Sequence, residues 1–297
     1  MCIRDSLLRN APWWILIGAA ICSNLFSTVR GSVAAYFFND VIGQNVNLNL
    51  GPFSFLFYAG LFLSIGEVSN MVGVALAVPF SEKFGKKSTY MLSFAALILF
   101  SALFFYIPIS QGGYFWMLIL QVVISIFTGV ISPLVWSMYA DVSDFAENRD
   151  GTASTGLIFS SASMAQKFGG AFGGFAVMWL LKAFGYNTSP GAVQTPEAIN
   201  GLWLLMSWIP AAVAGIAVIV IFFYPLTRSR MCDIQDALAV KRENDMTARP
   251  DTQETEESSS NLWKGLPKVM RWVLVILAVI LALELMFVFY TSTCFLR

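Results

Sequence analysis

The sequence predicts an all-α polytopic membrane protein, and three observations carry that prediction. The 297-residue chain is 57% hydrophobic and only 12% charged, with a mean hydropathy of +0.68, whereas soluble domains carry roughly 25% charged residues. The apolar residues fall into blocks of about 20 or more, the length a helix needs to cross a bilayer. Within each block they run continuously instead of alternating, which excludes a transmembrane β-barrel.

Taken in order, the blocks predict spans at 12–38, 53–80, 88–108, 114–140, 153–185 and 199–224, with a further apolar run at 269–291. The connections are short except for 225–268. That segment is polar, contains ARPDTQETEESSSN, and reads as a flexible cytoplasmic linker over 229–266. The expected organisation is a non-native leader at 1–6, a six-helix unit at 7–228, the linker, and an extra transmembrane helix at 267–297.

Composition excludes several functions. Net charge is zero, so nothing favours nucleic acid as a partner. The chain has no histidine, and its four cysteines (Cys2, Cys22, Cys232, Cys294) are scattered without metal-ligand spacing. A membrane-embedded enzyme would need a catalytic constellation, and no span holds clustered carboxylates. The expectation is therefore no enzyme, no metal in this chain and no cofactor.

Orientation follows from the basic residues. With the N-terminus in the cytoplasm, Arg4, Arg9, Lys83, Lys86, Lys87, Arg149, Arg228, Arg230, Lys241 and Arg242 all lie inside, and the outer loops 39–52, 109–113 and 186–198 hold no Lys or Arg. Trp13 and Trp14 then sit at the inner interface, with Trp116, Trp179 and Trp203 at the outer one. The expected location is a cell (inner) membrane.

Four charges fall inside the apolar runs: Arg30, Glu67, Lys167 and Glu284. An intramembrane charge is expensive and reads as a functional hypothesis by default. Lys167 is about 14 residues, or ~21 Å of rise, into its helix, near the middle of a long span. Two readings stand: an ion pair with Glu67, or a cavity lysine that contacts substrate or the coupling site, which is preferred. Behind Lys167, Gly169 with Gly173 and Gly170 with Gly174 form two overlapping Gly-x-x-x-Gly pairs, the spacing that lets helices approach closely. Asp141, Asp144 and Glu147 follow the fourth span. With Arg149, Lys83, Lys86 and Lys87 they form either an inner salt-bridge gate or a solvated loop.

At this point the residues resemble a known family. LLRNAPWWILIGAA, Arg30, AAYFFNDVIG, VPFSEKFGKKSTY, YADVSDFAE, GLIFSSASMAQKFGGAFGG and FYPLTRSRMCDI, in that order over roughly 8–245, are similar to the glycoside–pentoside–hexuronide:cation symporters of the major facilitator superfamily. The resemblance implies a fold of two six-helix halves working by alternating access. This chain would hold the C-terminal half, helices seven to twelve, plus one extra helix that the family does not explain.

It further implies cation-coupled uptake of a sugar or glycoside, with Na⁺ or H⁺ bound mainly on carboxylates of the absent N-terminal half and Lys167 facing them. Expected partners are thus the substrate, the lipid bilayer and that N-terminal half. Substrate or coupling candidates are Lys167, Arg30, Glu67, Gln121, Ser132, Trp136, Ser163 and Gln166. The chain departs from the family at Ala153-Ser154-Thr155, where many members have Arg-x-Glu, and at Ser132, where melibiose-type members have Trp; Trp136 lies one turn later. Alternatives are a carrier of the same fold for a non-sugar cargo such as a lysolipid, and a non-transporting accessory protein.

Overall fold

The computed structural model describes residues 10–247 apart from 44–45, 51–52, 151–154 and 190–191. The described elements are α1 (Ala11–Phe37), which runs into a π-helix (Phe38–Gly43), then β1 (Val46–Leu50) and β2 (Phe53–Phe57). There follow α2 (Ala59–Phe84), α3 (Lys86–Phe104), α4 (Gln111–Asp150), α5 (Thr155–Ala183), α6 (Pro196–Met206), α7 (Trp208–Phe222) and α8 (Arg228–Thr247). The protein is an all-α polytopic membrane protein. The leader at 1–6 and the apolar run at 267–297, with Glu284, lie outside the described residues.

Four boundaries correct the sequence expectation. The second span begins at Ala59, because Phe53–Phe57 pairs antiparallel with Val46–Leu50, Leu48 opposite Phe55. Alternating Asn and apolar residues in VNLNL suit a strand, and an apolar strand beside a helix reads as one continuous apolar run. The fourth helix continues past 140 to Asp150. Residues 228–247, read as the start of a linker, form an α-helix that buries Met231, Ile234 and Leu238. The spacing of those three at i, i+3 and i+7 is helical, and the charges between them hid it.

The last span is two helices broken at Ser207 (φ −124°, ψ −79°). Pro210 is the reason. A helical N–H at position 210 would bond the carbonyl of Met206, and proline has none.

Five described helical segments are long and apolar enough to cross a membrane: 11–43, 59–84, 86–104, 112–149 and 196–222. The α5 helix is long enough at 29 residues but is not among them, because Gln166, Lys167, Lys182 and its glycines dilute its apolar content.

The packing of the helices is two-fold in pattern. α1 packs on α5 and α4 packs on α2; α1 and α3 both pack on α7, and α3 also packs on α4. Exchanging α1 with α4, α2 with α5 and α3 with α7 reproduces the same set, as expected of a three-plus-three inverted repeat. α1 is anchored at its N-terminal half by two buried tyrosines, Tyr90 donating to the Ala19 carbonyl (3.4 Å) and Tyr139 to that of Leu16 (3.2 Å). Between α2 and α3 the chain turns on Gly85 alone (φ +81°), a conformation that glycine adopts without a side-chain clash. At the other end, the Tyr186 hydroxyl donates to Asp40 on the π-helix. Burial and the Asp40 carboxylate hold this hydroxyl above the usual tyrosine range. The described residues up to Ala239 form one compact unit, and Val240–Thr247 belong to a second.

Candidate functional site

The site grows from two polar stripes that helical spacing brings to one side. On α1, Ser23, Ser27 and Arg30 recur at i, i+4 and i+7. On α4, Gln121, Ser125, Thr128 and Ser132 recur at i, i+4, i+7 and i+11. The two stripes line adjoining clefts. One, of about 100 Å³, is lined by Ser27, Arg30, Glu67, Asn70, Gln121, Ser125 and Thr128 among others. The second, of about 190 Å³, shares Ser27, Asn70 and Thr128 with it and adds Ser23, Asn24, Ser132, Trp136 and Gln166.

Arg30 is the charge at the bottom of the first cleft. It is only 5% exposed. Its Nη1 donates to the Met206 carbonyl and its Nη2 to Gln121 Oε1, both at 2.9 Å, and its guanidinium lies 5.1 Å from the centre of the Phe104 ring. The third donor, Nε, is buried and has no acceptor among the described residues. Gln121 is held in turn by Ser125 (3.4 Å). It has room because residue 66 is glycine: a β-carbon there would lie 2.7 Å from Gln121 Nε2. Trp136 presents an indole to the second cleft, stacked at 7° on Phe159 with ring centres 5.9 Å apart.

The sequence-chosen candidates separate into two groups. Arg30, Glu67 and Gln121 meet in the first cleft, and Ser132, Trp136 and Gln166 in the second. Lys167 and Ser163 lie on the exposed face of α5 and line neither. Among the described residues no ion pair joins Lys167 to Glu67, so those two do not form the pair that their depths allow. The depths agree, but α2 and α5 pack on opposite partners. Ser23, Asn24, Ser27, Asn70, Ser125 and Thr128 were missed, although the recurrence on α1 and α4 is legible once both helices are read for polar periodicity.

The glycines divide likewise. A β-carbon on Gly169 would lie 2.8 Å from the Ile21 carbonyl, and one on Gly173 2.8 Å from Thr28 Cβ. These two seat α5 against α1. Gly170 has only an ordinary contact with Thr28, and a β-carbon on Gly174 would meet nothing, so one pair of the two makes the interface. The same device joins α2 to α4 through Gly73 and Gly129, whose missing side chains would strike Ile126 and Asn70 backbone respectively.

Where α3 begins and α4 ends, Lys86 Nζ pairs with both oxygens of Asp141 (2.7 and 2.8 Å). Lys87 caps the C-terminal end of α7, donating to the carbonyls of Phe222 (2.9 Å) and Tyr224 (2.6 Å), as cations do at helix C-termini. Arg228 donates to the Glu82 carbonyl at 2.6 Å. Lys83 lies over Phe84 and Arg149 over Phe145. Asp144 and Glu147 also have partners. Ser143 shares a 2.7 Å hydrogen bond with Thr155, while Ala153 and Ser154 lie outside the described residues.

An inverted-repeat helical bundle around a polar cleft at membrane depth defines the class of secondary carriers, and comparison with known proteins agrees. The family model for the MFS/sugar transport proteins matches residues 4–228. The chain belongs to this family, whose members here are glycoside/cation symporters and transporters, not enzymes. The Glucuronide carrier protein homolog of Escherichia coli strain K12 is 28% identical over 77% of this chain and 47% of its own length. For the Inner membrane symporter YicJ of the same organism the values are 27%, 80% and 48%. For the Isoprimeverose transporter of Lactiplantibacillus pentosus they are 24%, 75% and 43%. The chain thus spans about half the length of the curated relatives it matches.

Proposed function

We propose that this chain supplies the C-terminal six-helix half of a cation-coupled carrier for a sugar or glycoside, working by alternating access with a further six-helix half. The observation that carries the reading is the continuous polar lining from Arg30 to Gln166, with the Trp136 ring facing it. Sugars present hydroxyls at their edges and C–H groups on their faces, so a polar cleft with one flat aromatic wall suits them. Lys167, exposed on α5, is left to face carboxylates of the other half. A coupling Na⁺ or H⁺ would compete with its ammonium there, which links cation occupancy to the approach of the two halves. The basic residues Lys83, Lys86 and Arg228 favour a cytoplasmic location for the end of the bundle that carries them.

Uptake of a panel of labelled glycosides by cells expressing the complete protein, with and without a Na⁺ or H⁺ gradient, tests this. Gradient-dependent accumulation of at least one sugar is expected; gradient-indifferent cells that accumulate none would sink it. A second reading, a carrier of an amphiphile such as a lysolipid, is favoured by one observation. An apolar groove of about 390 Å³ runs between α1 and α5, lined by Trp13, Ile17, Ile21, Met164, Phe168 and Phe172. The same cells given a labelled lysolipid separate the two.

A further inference from the structure

The charge balance around Arg30 goes further than the reading of a sugar carrier, on which it rests. Arg30 is nearly fully buried at membrane depth, yet both of its engaged donors meet neutral acceptors, a backbone carbonyl and an amide oxygen. No carboxylate lies within ion-pair distance of it among the described residues. A buried charge left without a counter-charge is costly, and the cost is greater in a bilayer. The third donor, Nε, is buried and unused, and the residue lines the cleft.

The remaining cleft chemistry is one-sided. Glu67, on α2, lines the same space and is exposed. The cleft is therefore polarised, with positive charge at its buried end and a carboxylate at its open side. Ser27, Asn70 and Thr128 lead from there to the larger cleft under Trp136.

We infer that Arg30 is a specificity residue for an anionic sugar: it receives a carboxylate or sulfonate on the cargo, while the pyranose ring lies in the larger cleft beside Trp136. The guanidinium fork matches a planar carboxylate and supplies a charge-assisted bond from Nε without giving up Met206 or Gln121. The small cleft holds a carboxylate-sized group and no sugar ring. Glu67 repels the same anion at the open side, which fixes the sense of entry: hydroxyls toward Glu67 and Asn70, acid toward Arg30.

The test uses the complete protein in membrane vesicles and two probes that differ in one group, methyl β-D-glucoside and methyl β-D-glucuronide. Wild type should bind the glucuronide better. Arg30→Gln should weaken it on the order of 100-fold, the usual cost of removing one partner of a buried charged pair, and weaken the glucoside far less, so that the preference for the glucuronide is lost. Arg30→Lys, which keeps the charge but not the fork, should fall between. The melting temperature of each purified variant is the folding control. Equal loss of both probes in Arg30→Gln, or a wild-type preference for the glucoside, overturns the assignment while leaving the carrier reading intact. Vesicles that take up neither probe nor any other sugar remove both.

Discussion

Arg30 Nη1 donates to the carbonyl of Met206 at 2.9 Å, the one acceptor in the last span that Pro210 deprives of its helical partner. The proline breaks the helix, the break frees a carbonyl, and the carbonyl holds the buried cation in place. Pro210→Ala restores an N–H that competes for this oxygen. The expected outcome is a straightened last span and a misplaced Arg30, with glucuronide affinity reduced several-fold at normal expression. Substrate-induced thermal protection of the purified protein measures it, and unaltered protection would show that the carbonyl does not position Arg30.

Gly66 controls the other anchor. In Gly66→Ala the new methyl would press on Gln121 Nε2, 2.7 Å away, and on Ser125 Oγ, 3.1 Å away. Overpacking of this kind costs about 1–3 kcal/mol, and here it falls on the residue that holds Arg30 Nη2. Gly66→Ala should lose affinity; Gly174→Ala, whose β-carbon meets nothing within 4 Å and which lines neither cleft, should not. Parallel binding curves on the two variants decide it.

The α1–α5 interface separates the two glycine pairs. Gly173→Val drives a branched side chain into Thr28 and should lower the melting temperature and uptake together. Gly174→Val points into open space and should leave the melting temperature of this half unchanged. Equal tolerance of both changes would contradict the packing assigned to Gly173.

Lys86 and Asp141 join the start of α3 to the last turns of α4, with the Asp141 side chain 8% exposed and that of Lys86 37%. Lys86→Ala leaves a nearly buried carboxylate without its cation, whereas the intact, half-exposed pair is worth only about 1 kcal/mol. We predict a clear loss of stability in either single mutant and partial recovery in the charge-swapped double mutant Lys86→Asp/Asp141→Lys. A double-mutant cycle on the unfolding midpoint reports the coupling, and zero coupling would make the contact incidental.

Lys167 is exposed on α5 and has no ion pair among the described residues. Lys167→Ala should abolish gradient-driven accumulation with expression intact and with passive sugar exchange across the membrane retained. Wild-type accumulation would take Lys167 out of the coupling mechanism.

The apolar blocks by themselves located the long apolar helices of the described region, because crossing a bilayer leaves a chain little choice but helix, but not the helix at 228–247 or the break at Ser207. The sequence also determined which positions were costly enough to carry function: Arg30, Glu67 and Lys167 stand out as charges in apolar runs. It did not determine which of them meet. Arg30, Glu67 and Gln121 converge because α1, α2 and α4 pack in a two-fold pattern that lies far apart in the chain, and Lys167 falls outside because α5 sits on the other side of α1. Likewise 53–57 is equally apolar as strand or helix, and only pairing with 46–50 decides between them. Periodicity is a property of one helix and is written in its residues. Convergence is a property of several, set by where glycines allow contact and prolines free a carbonyl, and it exists only once the helices have packed.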